Sequence, residues 1–167
     1  QEPLVSTLEA YFQGKKDLFG GLAMERWEKD WESYLVLHID FSLTKYMELT
    51  DLTGQLNLFL HRWEKIYGKD EAEKTASERL QGIILRASEQ IGKQVVVLID
   101  EYDAPLLDSN SDTALQQQLR NEMRKFFSPP QEVGAVSSLS LHHRHQQVQP
   151  TEHLQRTEQF AKYQYAR

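Results

Sequence analysis

Five consecutive apolar residues that end abruptly in acids, Val95-Val-Val-Leu-Ile-Asp-Glu-Tyr-Asp103, constrain this chain more than any other stretch. Such a run has no polar side to turn toward water, so it is expected as a central parallel strand covered on both faces. In open α/β sheets ligands sit beyond the carboxyl ends of the strands. Acids placed there face a site instead of the core. The plain alternative is that Asp100 and Glu101 only end a buried strand and cap the next element.

The segments before this strand read as an α/β arrangement. Tyr34-Leu-Val-Leu-His-Ile-Asp-Phe41 is short, mostly apolar and partly β-branched, and is expected as a second strand buried on both faces. His38 lies inside it. With no His or Cys at ligand spacing nearby, it reads as a core or rim histidine and not as a metal ligand. Between the strands, Leu52, Leu56, Phe59, Leu60 and Trp63 mark a helix from Thr50 to Tyr67 that Gly68 ends. Ala76, Leu80, Ile83, Ile84, Ala87 and Ile91 mark a second, from Glu71 to Ile91, closed by Gly92. Strand, helices and strand make a βαβ crossover, expected to be right-handed. At the start of the chain Leu4, Leu8, Tyr11 and Phe12 recur at helical spacing up to Gly14. Asp17 to Trp31 suggests a loop and short helix capping the sheet, with Trp27 and Trp31 in core or rim packing.

Composition excludes several functions. The net charge is −6 and the pI about 5.5. Nucleic acid and anionic membranes both require clustered Lys and Arg, so neither is expected as a partner. The absence of cysteine removes disulfides, thiolate metal sites and thiol nucleophiles. No window approaches the ~18 apolar residues of a membrane span, and a cytoplasmic protein is expected. Tyr11-Phe12-Gln13-Gly14 resembles a protease-tag scar but sits inside an amphipathic run, and reads as native sequence.

The acids at the end of the central strand fit the Mg²⁺ end of a nucleoside-triphosphate site. A rigid strand would hold the Asp100 carboxylate against a metal-bound water, because Mg²⁺ prefers oxygen ligands and keeps much of its hydration. Glu101 could polarise the attacking water, with Asp103 a neighbour of the site. Holding the phosphates needs a loop of the form G-x-x-x-x-G-K-[ST], and these residues contain none. Gly20-Gly21 has neither the spacing nor the Lys.

Three blocks resemble the AAA-ATPase-like family of bacterial P-loop proteins. Leu4 to Met24 is similar to the helix and capping segment after the family's phosphate loop, Tyr34 to Ser42 to its second strand, and Val95 to Leu107 to its Walker B signature. The family's Asp-Glu falls on Asp100 and Glu101, and its Tyr-Asp on Tyr102 and Asp103. The helix Leu119 to Ser128 continues the likeness, which covers residues 4 to about 130. It implies a three-layer P-loop NTPase domain with a parallel sheet, and Mg²⁺ and ATP as cofactor and substrate in the intact family. It also implies a nuclease-like domain that often follows in family members, for which this chain has no counterpart.

The departures carry their own expectations. Where the family has RRFGKS before the first helix, this chain has Gln1-Glu2-Pro3. The domain is therefore expected to be truncated, its sheet incomplete, its activity lost and no cofactor held. The alternative function is a non-catalytic interaction module. With flanking strands missing, Val95–Ile99 would become an edge and invite self-association. The chain divides into a partial domain, 1–131, and a tail, 132–167, rich in Gln and His and expected to be disordered. Back-translation from Leu141, read one base later with allowed codons, spells the family-like run F-I-T-G-I-N-K-F-S. The tail thus resembles out-of-frame translation, and His142-His143-Arg144-His145 is not expected to bind metal.

Overall fold

A computed structural model describes residues 3–127 and 136–140. The apolar run forms a strand, β2 (Val95–Asp100), in which every residue is buried. It pairs in parallel with β1 (Leu35–Asp40), Leu35 opposite Val95 and Asp40 opposite Asp100. On its other side it pairs, again in parallel, with β3 (Val136–Ser140), giving the order β1-β2-β3. The strand expected to become an edge is therefore central. The tail expected to lack structure from Glu132 contributes a strand at Val136–Ser140, and residues 141–167, with the histidine cluster, lie outside the described residues.

Strand alternation sends successive side chains to opposite faces, and the two faces are covered differently. Leu37, Ile39, Val95, Val97 and Ile99 pack in a core with α3 (Leu49–Tyr67), α4 (Ala76–Ile91) and α6 (Thr113–Phe127). Val96 and Leu98 pack on the other side with Leu8 and Phe12 of α1 (Pro3–Phe12), Phe19 of the 3-10 turn Lys16–Phe19, and Met24 of α2 (Ala23–Trp27). The result is a mixed α/β arrangement of three layers about a small parallel sheet. β1 differs from expectation. Only Leu37 and Ile39 of this strand are fully buried, because β1 borders the described sheet and one of its faces carries His38 and Asp40.

Helix boundaries follow capping chemistry. Asp51 accepts hydrogen bonds from the N–H groups of Met47 and Glu48, 2.9 Å each, and starts α3 at Leu49. α4 begins at Ala76 and not near Glu71. Thr75 accepts from the Glu78 N–H while Glu78 accepts from the Thr75 N–H, a capping box that halts the helix there. Residues 70–74 form a turn ahead of it. Glu73 of that turn pairs with Arg86, and its carboxylate occupies the space a side chain at Gly82 would need. Arg79 of α4 grips Glu64 of α3 with two hydrogen bonds, 2.6 and 2.9 Å, which ties the two helices together. Of the tryptophans before β1, Trp31 packs against Phe19 and Tyr11, whereas Trp27 is about half exposed at the rim.

α1 ends at its junction with the sheet. Gly14 has φ +72° and lies against Ser33, and the Tyr34 N–H donates to the Phe12 carbonyl at 2.7 Å. The carboxyl end of α1 thus meets the amino end of β1. The helix packs on the sheet through Leu8 and Phe12, against Val96 and Leu98. Among the described residues no helix is long and apolar enough to cross a membrane.

Candidate functional site at the carboxyl ends of β1 and β2

The alternation that buries Val96 and Leu98 under α1 sends Asp100 to the same face. His38 pairs with Leu98 and Asp40 with Asp100, so β1 adds an imidazole and a second carboxylate there. The apolar surface of this face stops two residues before the strand ends, and polar groups take over. Asp100 is 8% exposed. Its Oδ1 accepts the N–H of Glu101 at 3.0 Å, and its Oδ2 lies 4.0 Å from His38 Nε2. That nitrogen is buried and has no hydrogen-bond partner among the described residues.

Glu101 is the described non-glycine residue with positive φ, +50°. The left-handed conformation brings Cβ against the backbone and costs a β-unbranched residue about 1–2 kcal/mol. It turns the chain sharply out of the strand. The Ala104 N–H then donates to the Glu101 carbonyl at 2.9 Å, closing a tight turn over residues 101–104. Strained backbone of this kind gathers where a side chain must be aimed. Asp103 ends the turn. Its carbonyl accepts from the N–H groups of Leu106 and Leu107, starting the short α5 (Ala104–Asp108), while its Oδ1 is buried without a partner among the described residues. Asp100, Glu101 and Asp103 are thus held on one strand end and the turn that follows it.

The same end of β1 is also organised. Asp40 Oδ1 accepts from the Ser42 N–H and hydroxyl, at 2.8 and 2.6 Å. Tyr46, fully buried, donates to the Phe41 carbonyl at 2.9 Å. Burial first, and then Asp40, Asp108 and Asp51, push its ionisation far above the ordinary range, so it stays neutral. Asp108 of α5 accepts from Lys45 and from the Tyr46 N–H, joining the segments after the two strands. Sequence reading did not single out Asp40, although the Tyr34–Phe41 strand segment carries an acid near its carboxyl end as Val-Leu-Ile-Asp100 does.

The donor set suits a hard cation. Among the described residues no three His, Asp or Glu side chains gather as a ligand cage. Mg²⁺ does not need one. It keeps several waters and is held by one or two carboxylates, which the Asp100 end of the sheet provides. Two buried polar atoms left without partners, His38 Nε2 and Asp103 Oδ1, are consistent with a site whose contacts are completed by a ligand.

A family model described as Predicted AAA-ATPase matches residues 3–140, through the last residue of β3. An uncharacterized protein in the vnfD 5' region of Azotobacter chroococcum mcd 1 is 32% identical over 126 residues. Those residues are 74% of this chain and 24% of that protein, so the chain spans a minor part of its relative's length. No solved structure matches. With its acid-terminated central strand inside a match that covers both crossovers of the sheet, the chain belongs to the AAA-ATPase-like family.

Proposed function

We propose that these residues form the cation-binding and water-activating part of an ATP-hydrolysing domain of the P-loop type. The observation that carries the reading is Asp100 at the carboxyl end of a fully buried central strand, followed by Glu101 at positive φ. In this reading Asp100 holds Mg²⁺ through bound water, and Mg²⁺ offsets charge on the phosphates. Glu101 accepts a proton from the attacking water, and Asp103 borders the site.

No phosphate loop occurs in these 167 residues. Most of the hold on a triphosphate comes from loop amides and a Lys. This chain by itself is therefore expected to show no saturable micromolar site in calorimetric titration with Mg-ATP. A micromolar site that Asp100→Ala abolishes would overturn that expectation. A longer chain carrying such a loop before Pro3 is expected to hydrolyse ATP, with Glu101→Gln reducing turnover by orders of magnitude; full turnover in that variant removes Glu101 from the chemistry. The second reading, a non-catalytic interaction module, has a different edge from the one expected. β2 is central, and β1 and β3 border the described sheet.

A further inference from the structure

We infer that His38 is a positioning residue for Asp100, its Nε2–H fixing Oδ2 when a divalent cation is held at the strand end. The inference rests on the proposed cation role of Asp100. Register and alternation place the two side chains on one face, with His38 opposite Leu98 and Asp40 opposite Asp100. Oδ1 is engaged by the Glu101 N–H at 3.0 Å, and Oδ2 faces His38 Nε2 at 4.0 Å. Nε2 is buried without a partner among the described residues, which is an unfavourable state for an imidazole nitrogen with an acceptor so near. A closure of about 1 Å would make a hydrogen bond of ordinary length. Polar contacts in functional sites are often long without ligand and tighten when it binds. A carboxylate held at Oδ1 by the backbone and at Oδ2 by imidazole keeps one orientation at the strand end. Groups that orient a metal-binding side chain in this way change metal affinity by about 10–100-fold. A histidine present only for packing has no such effect.

The test uses the whole chain in solution, with Mn²⁺ as a paramagnetic probe and Mg²⁺ as its diamagnetic counterpart, observed by NMR. Mn²⁺ is expected to broaden the Glu101 amide in the wild type and not in Asp100→Asn. The titration midpoint should rise about tenfold or more in His38→Leu, and return most of the way in His38→Gln, which restores an N–H donor. Mg²⁺ should move the His38 Nε2 resonance toward that of a stronger donor, again only where Asp100 is intact. An unchanged midpoint in His38→Leu, with Asp100-dependent broadening present, overturns the role of His38 and leaves that of Asp100 standing. Absence of Asp100-dependent broadening in the wild type overturns both. Should His38→Leu fail to melt cooperatively, the Nε2 response to Mg²⁺ decides, and a ring indifferent to the cation ends the proposal.

Discussion

The two faces of the sheet carry the same strands and do different things. Toward α3, α4 and α6, β1 and β2 present Leu37, Ile39, Val95, Val97 and Ile99, apolar to the last turn of the strands. Toward α1 they present Val36, Val96 and Leu98, and then His38, Asp40 and Asp100. One face is committed to stability along its whole length. The other is apolar only at its amino end and polar at the carboxyl ends of the strands. The difference teaches that strand parity, a period of two, is enough to separate core from site within six residues.

The largest effect expected from breaking this division comes from the apolar face. Ile99→Ala removes a fully buried side chain between β2 and its helices and should cost about 2–5 kcal/mol, read as a lowered midpoint in denaturant titration. Asp100→Asn, one residue away on the other face, should cost far less. If the two variants prove equally destabilising, the faces are not divided as described.

The next effect concerns the layer that covers the apolar face. Glu64→Gln leaves Arg79 without its carboxylate between α3 and α4 and should cost about 1–3 kcal/mol near neutral pH. The Arg79 guanidinium holds the Glu64 carboxyl below the usual carboxylate range. A depressed native pKa gives stability that is complete above the unfolded value of about 4.3 and is lost as pH falls through the native one. Thermal melts of the wild type should therefore fall faster than those of Glu64→Gln as pH drops below about 4. Parallel curves would mean that the pair is not formed in solution.

A smaller effect of opposite sign is expected at the site. Glu101→Asn places at φ +50° a residue that tolerates the left-handed region, and should raise stability by several tenths of a kcal/mol. A decrease would show that Glu101 makes stabilising contacts that outweigh its strain. The smallest effect is expected from the end of the chain. Removing residues 141–167 should leave the melting temperature unchanged, whereas removal from Glu132 deletes β3 and should lower it. Sequencing the coding DNA tests the out-of-frame reading directly, since codons from Leu141 should spell F-I-T-G-I-N-K-F-S one base out of register.

Legibility followed the kind of signal. The apolar run at Val95–Ile99 and the stripes of α3 and α4 were plain, because burial of long apolar segments leaves few alternatives. α4 starts later than its periodicity implies, because the capping box of Thr75 and Glu78 sets the first turn whereas the apolar spacing alone does not mark it. α5, only five residues long, had too short a pattern to register. β3 was missed because Val136-Ser-Ser-Leu-Ser140 carries little apolar content, and its strand conformation comes from pairing with β2.

For the site, local sequence determined that Asp100, Glu101 and Asp103 would stand where a buried strand stops, since the apolar run that has to be covered ends at Ile99. What only the tertiary structure decided was the company they keep. The register of β1 on β2, set by the packing of both strands between α1 and the α3/α4/α6 layer, put His38 Nε2 4.0 Å from Asp100 and placed Asp40 directly opposite it. A shift of one residue in that register would have turned His38 into the apolar core, so the pairing is settled by burial of the whole strand and not by any residue near the site.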